Sequence, residues 1–340
     1  ATVDDFLQRL RRFRTAEWVR LAGRALAHLG STAQIVREHS ELADAVLDAC
    51  TRVLWRRARA AADFVFAGRA AASGYGFAVL AQGKLGAGEL NVSSDVDLQY
   101  LCCAPAADGT AMAALCEPLA RRLTQALSAR DAHGFCYRVD LELRPEGKRG
   151  ALVNSLAGAE HFYEAYGQSW ERLALMRARP VGGARWVSQA FVQAMRPFVY
   201  PRSISTTLVD EMAALGRRIH GERRYVPLGD SLDLKRDPGG IRDVELFVQT
   251  LQHLQGGRQP SLQTPSTLEA LDRLYFLGLL PASRHARLRR AYLLLRSVEN
   301  AVQVVDERQA HRLPTRPEAL AHLAAILGLR DVGQLQRRLV

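Results

Sequence analysis

Two short apolar runs, residues 77–81 and 96–101, bracket the glycine-dense turn Gly83-Lys84-Leu85-Gly86-Ala87-Gly88. Elsewhere the chain repeats its hydrophobic residues at helical spacing, so this stretch fixes where a sheet must form. Runs this short, bounded by turn residues, read as buried strands rather than helices. The second run is interrupted only by Asp97 and Gln99. Met112, Leu115, Leu119, Leu123 and Leu127 then recur every three or four positions, predicting a helix over 111–130. A third strand is expected from Cys136 to Leu143, ended by Pro145. Strand, helix, strand gives a small α/β unit at roughly 75–155.

The flanks are helical. Residues 4–70 carry Leu7, Leu10, Phe13, Trp18, Leu42, Val46, Val53 and Leu54 near helical spacing, with a turn at Gly30-Ser31 and Ser31 as its N-cap. After 158, helices are expected at 158–177, 186–196, 206–224, 240–255, 266–277 and 282–306, punctuated by Pro and Gly. The expected fold class is therefore α+β, a mainly helical chain with an inserted mixed β-sheet domain and a C-terminal helical bundle. The expected domains are 1–74, 75–198 and 199–340. The opening on Ala1 and the helical pattern over 317–340 both read as signs of a longer polypeptide.

Composition narrows the class. Hydrophobic residues at 48% and charged residues at 24% are ordinary globular values, which excludes a disordered or collagen-like chain. No run of about 18 uncharged apolar residues indicates a membrane span, and the acidic N-terminus has no signal core. The net charge is +11, yet only Lys84, Lys148 and Lys235 are lysines; the remaining basic residues are arginines spread along amphipathic stretches. That distribution weakens a nucleic-acid reading, and no nucleic-acid partner is expected. The cysteines, at 50, 102, 103, 116 and 136, are odd in number and lack Cys-x-x-Cys spacing, so they read as core thiols of a cytoplasmic protein. No histidine has a convincing ligand spacing, and no Ser-His-Asp or Cys-His pattern stands out.

The chemistry-bearing residues are acidic. On a strand Asp95 and Asp97 share a face, with Cα atoms about 6–7 Å apart. Two such carboxylates repel unless a cation sits between them, and Mg²⁺ takes one or two carboxylates plus phosphate oxygens; a solvated strand end is the plainer alternative. The preceding glycine turn offers backbone N–H groups to phosphates. If the third strand lies beside the second, Asp140 joins Asp95 and Asp97, and three carboxylates can hold two Mg²⁺ ions.

The segment from Gly83-Lys84-Leu85-Gly86 through Asp97 resembles the nucleotidyltransferase signature of the glutamine synthetase adenylyltransferase/adenylyl-removing family. Further matching segments occur in order: Arg138-Val139-Asp140 with Leu143-Arg144-Pro145-Glu146-Gly147, Trp170-Glu171-Arg172 with Arg177-Ala178-Arg179-Pro180, Lys235 with Pro238 through Glu245, and Gly257 through Gln263. The resemblance covers about residues 5–315. It implies a DNA polymerase β-like nucleotidyltransferase domain within a longer bifunctional enzyme. Asn91-Val92-Ser93-Ser94 and Gly239-Gly240-Ile241-Arg242 are more similar to the N-terminal, adenylyl-removing copy. The resemblance thus implies removal of AMP from an adenylylated tyrosine of glutamine synthetase by phosphorolysis, releasing ADP. Asp95, Asp97 and Asp140 would be the catalytic metal ligands, with two Mg²⁺ ions, and ADP, ATP and phosphate as substrates or products. Adenylylated glutamine synthetase and PII-type signal proteins would be partners. Forward adenylyl transfer from ATP and an RNA nucleotidyltransferase are the alternatives, together with a catalytically silent regulatory module.

Around the carboxylates several residues have two readings. Gly83 and Lys84 sit where nucleotide phosphates would lie, although Lys84 equally suits a solvated surface. Ser93 and Ser94 either donate to phosphate or cap the turn. Arg144, Arg177 and Arg179 either contact phosphate or make ion pairs. Glu142 departs from the family's more often basic residue; by alternation it faces the metals, or it pairs with Arg138 or Arg144. Arg242 and Glu245, three apart on a helix, are expected to pair, and Trp170 is expected in the core.

Overall fold

The computed structural model describes residues 2–65, 74–203, 210–211, 213–214, 216–217, 232–304 and 310–339. The fold is α+β: mainly helical, with one small mixed sheet. The expected helix at 206–224 lies largely outside the described residues. By packing, the chain divides into two compact units, one of Ala1–Val19, His39–Glu89 and Asp95–Val199, the other of Arg20–Glu38, Leu90–Ser94 and Tyr200–Val340. This partition cuts through the first two helices, whereas the division drawn from sequence pattern follows the chain.

In the first unit lie the N-terminal part of α1 (Val3–Leu26), most of α2 (Thr32–Val65), and strands β1 (Gly76–Ala81) and β2 (Val96–Cys103), with the short helical turn α3 (Gly83–Gly86) between the strands. Next come α4 (Gly109–Ser128), β3 (Val139–Asp140), β4 (Val153–Ser155), α5 (Leu156–Tyr166), α6 (Ser169–Leu175), β5 (Arg179–Gly183), α7 (Arg185–Ala194) and α8 (Arg196–Val199). Ser31 caps α2 as its sequence suggests, its Oγ accepting from the Gln34 N–H at 3.2 Å.

β1 is buried along its whole length, which is why it reads as an unbroken apolar run rather than an alternating one. It lies antiparallel between β2 and β5. The far edge of β2 carries two parallel neighbours in succession, β3 at Val96–Asp97 and β4 at Tyr100–Cys102. Helix α4 packs on β2 and β4, and α7 packs on β1 and β5. Stacking of Trp55 on Phe77 (6.2 Å) and of Phe77 beside Tyr100 (5.7 Å) joins α2 to the sheet, and the Tyr100 hydroxyl bonds Thr124 at 2.9 Å.

The segment leading into β3 is held from α1. Arg11 bonds Asp131 at 2.7 Å, and the Arg14 guanidinium, almost fully buried, lies over the rings of Trp18, Phe135 and Tyr137 at 5.1–5.8 Å. A planar guanidinium both stacks on rings and presents several donors at once, so part of the arginine excess is architecture.

The cysteines are free thiols, and all but the half-buried Cys103 are fully buried. Burial pushes the Cys50 thiol up to about 12 and Cys136 to about 11, which leaves them inert core residues.

In the second unit α9 (Ile241–Gln255), α10 (Thr267–Phe276), α11 (Ala282–Val304), α12 (Pro317–Ile326) and α13 (Val332–Leu339) bury one apolar core, including Ile241, Val248, Leu271, Val298, Leu323 and Leu335. No described helix is long and apolar enough to cross a membrane.

Two expectations need correction. The third strand does not run from Cys136 to Leu143: only Val139–Asp140 pairs with β2, after which the chain turns. The single helix at 158–177 is two. It breaks at Gly167, where a Cβ would stand 2.3 Å from the Tyr163 carbonyl oxygen and 2.4 Å from the Phe198 ring. It restarts with a capping box, the Gln168 N–H bonding Glu171 at 2.7 Å. Gly167→Ala should therefore cost about 1–3 kcal/mol of stability, read as a lower urea midpoint with an unchanged slope.

Candidate active site

The site is built on the register between β2 and β3. Val96 is opposite Val139, and Asp97 is opposite Asp140. In-register residues of parallel strands share a face, roughly 4.8 Å apart. The two carboxylates that sequence spacing puts 43 positions apart are therefore neighbours, both half-buried. The bond from the Val96 N–H to the Arg138 carbonyl (2.9 Å) extends the pairing by one residue.

Asp97 rests on the glycine turn. Gly83 has φ +55°, and a Cβ there would lie 1.9 Å from Asp97 Oδ2. Only glycine tolerates both the left-handed backbone and that approach. The Gln82 N–H donates to the Asp97 carbonyl at 2.9 Å, which fixes the start of α3 against β2. At the other end of α3, a Cβ on Gly86 would stand 1.9 Å from the Arg177 carbonyl oxygen. Most of the turn is buried rather than presenting open backbone, and Lys84 is itself only 7% exposed, so it is not a solvated surface lysine.

Arg179 braces this turn. It forms a two-pronged ion pair with Asp44 of α2 (2.7 and 2.9 Å), and donates to the carbonyls of Leu85 (2.9 Å) and Gly86 (3.1 Å). Burial raises the Asp44 pKa and the Arg179 charge opposes that rise. Asp44 carries no motif signal, because its partner lies 135 positions away.

Asp95 is engaged by Arg138, whose Nε donates to Oδ1 at 2.6 Å. Neither proposed partner of Glu142 is its partner. Glu142 lies on the turn after β3, exposed, and pairs with Lys148 at 2.7 Å; its N–H donates to Asp140 Oδ1 at 2.8 Å. Alternation fails because the strand has already ended. Arg144 is turned to the loop around it, donating to the carbonyls of Leu141 (2.7 Å), Ala151 (3.1 Å), Gly150 (3.3 Å) and Lys148 (3.4 Å). Arg172 likewise serves packing, over the Phe198 ring at 4.0 Å and bonded to the Phe198 carbonyl. Trp170 is 39% exposed and not in the core.

Ser93 and Ser94 belong to the second unit, on the segment that leads into Asp95. Ser93 is buried and its N–H donates to Gln303 Oε1 at 3.3 Å. Also in that unit, Arg242 and Glu245 do not pair. Arg242 is exposed, whereas Glu245 is buried and accepts from the Tyr292 hydroxyl at 3.3 Å. The N-terminus of α9 is served by its own Asp243, which accepts from the Gly239 N–H at 2.7 Å.

The donor set suits Mg²⁺ in number: Asp97 and Asp140 supply the two carboxylates such an ion takes beside phosphate oxygens. Among the described residues no three His, Cys, Asp or Glu side chains converge into a ready-made cage, and Asp95 is engaged by Arg138.

A family model described as glutamate-ammonia ligase adenylyltransferase matches residues 2–194. The chain belongs to that family. A second model, GlnD PII-uridylyltransferase, matches residues 214–339 of this adenylyltransferase-family chain. Relatives named bifunctional glutamine synthetase adenylyltransferase/adenylyl-removing enzyme include that of Pseudomonas aeruginosa, 36% identical over all of this chain and 35% of its own length. That of Nitrosococcus oceani is 35% identical over 97% of the chain and 34% of its own length, and that of Xanthomonas axonopodis pv. citri 37% over 94% and 34%. The chain spans about a third of the length of these relatives.

The Arg179–Asp44 brace yields a prediction with a definite sign. A raised Asp44 pKa means that protonation of Asp44 favours the folded state in acid, and that this contribution is lost as pH rises through the folded-state value. Arg179→Ala removes the opposing charge, so its stability loss, about 1–2 kcal/mol after allowing for partial exposure, should be larger near neutral pH than in acid. Urea denaturation across that range reads it.

Proposed function

We propose that this chain carries a metal-dependent nucleotidyl-transfer centre that acts on the AMP–tyrosine bond of glutamine synthetase, in the removing direction. The observation that carries the reading is the placement of Asp97 opposite Asp140, beside a glycine turn that closes onto Asp97. Membership of the adenylyltransferase family supplies the substrate class. The direction rests on the likeness of Asn91 through Ser94 and Gly239 through Arg242 to the removing copy.

In this reading Asp95, Asp97 and Asp140 would hold Mg²⁺, which would supply neutralisation of charge on the transferred phosphoryl group. Asp97 is fixed in angle by the Gly83 contact, and Asp140 is fixed by pairing with β2. Lys84 and Gly83 border the phosphates of the nucleotide. An oxygen of inorganic phosphate bonds the AMP phosphorus while the bond from phosphorus to the tyrosine oxygen breaks. The products are ADP and a free tyrosine, which takes up a proton. Positioning provides most of the acceleration, and no protein nucleophile is needed. Arg138 partners Asp95 as a neutralising cation. The match of the second unit to a GlnD PII-uridylyltransferase model supports PII-type signal proteins as partners.

The test supplies adenylylated glutamine synthetase, phosphate and Mg²⁺, then unmodified synthetase with ATP. ADP release in the first mixture alone supports removal; AMP incorporation in the second alone supports the forward reaction; turnover in neither sinks the proposal. Asp97→Asn and Asp140→Asn should each lower kcat by roughly 100-fold or more, with circular dichroism unchanged. Full activity in Asp97→Asn would place the chemistry elsewhere.

A further inference from the structure

Within the second unit, three side chains of α11 grip three consecutive residues of the segment 90–94. The Asn91 amide donates to Glu299. The Val92 N–H donates to Asn300 Oδ1 at 3.2 Å, and the Ser93 N–H to Gln303 Oε1 at 3.3 Å. Asn91, Ser93, Glu299 and Gln303 are at most 3% exposed, and Asn300 is 7% exposed.

Each gripping residue is itself held. Glu299 accepts from His311 Nδ1 at 2.8 Å and faces Arg296 at 3.8 Å. Gln303 donates to the Ala310 carbonyl at 3.1 Å. A carboxylate with no exposed surface is expensive to bury, and a simpler apolar contact would serve if the helix only needed to cover the loop. Buried backbone N–H groups need partners, and here α11 side chains supply them for Val92 and Ser93. The path of the loop is therefore dictated residue by residue. Ser94 and Asp95 come directly after it in the chain, and β2 begins at Val96.

We propose that Glu299, Asn300 and Gln303 are positioning residues: they fix the backbone of Asn91 through Ser93 and thereby the approach of Asp95 to its catalytic place. This rests on the nucleotidyl-transfer reading above. An ångström of misplacement in a catalytic group is enough to cost on the order of 100-fold in rate.

The experiment uses the whole chain with Asn300→Leu, which keeps volume and removes the Val92 acceptor, and Gln303→Met, which keeps length and removes the Ser93 acceptor. ADP release from adenylylated glutamine synthetase is measured with amide exchange of residues 91–95. The expected result is a fall in kcat of about tenfold or more with KM for the synthetase within about threefold, and faster exchange confined to the loop. If one variant does not fold, the other carries the test. Unchanged kcat in a folded variant whose loop exchanges faster overturns the inference while leaving the centre intact, provided the Asp97→Asn control is inactive. An active Asp97→Asn control, or no turnover by the unsubstituted chain, instead sinks the underlying reading. A rise in KM alone assigns α11 to substrate binding and also overturns the inference.

Discussion

The contact of the Asp97 carboxylate with the bare Cα of Gly83 is the constraint from which the candidate centre arises. It requires a left-handed glycine after β1, a tight helical turn, and a return strand whose second residue is acidic. Once β2 is seated in this way, its free edge sets the height of β3 and brings Asp140 level with Asp97. Arg179 then locks the outer end of the turn to α2. Moving any one of these would shift a carboxylate, so the sheet and the candidate centre share one set of contacts.

Arginine is the second organising theme. The net charge of +11 invites a search for a polyanion surface, yet Arg11, Arg14, Arg172 and Arg179 hold loops, rings and carbonyls in the first unit, and Arg296 is buried against Tyr292 and Glu299 in the second. A guanidinium offers five donors in a plane and stays charged when enclosed. It can therefore satisfy several carbonyls that a hydrophobic core would leave stranded.

Much of this was legible in the chain, and the failures are physical. The glycine turn, the two long strands, α4, the Ser31 cap and the buried thiols are written in local pattern. The meeting of Asp140 with Asp97 is legible only conditionally, because local pattern does not say that the third strand lies beside the second; the register comes from the structure. The length of β3 was not legible. Residues 136–143 alternate well enough for a strand, but anchoring of Cys136 and Tyr137 on the Leu127 carbonyl and the turn after Asp140 override the pattern. The partners of Glu142, Arg144 and Asp44 were likewise hidden, since sequence reports which charges exist and not which of several neighbours each will reach.

Arg144 has a consequence beyond its own position. Because one side chain meets four carbonyls of the excursion between β3 and β4, the shape of that excursion hangs on a single residue. The same excursion carries Glu142, whose N–H reaches Asp140, so a guanidinium that touches no carboxylate of the centre still shapes the ground beside one of them.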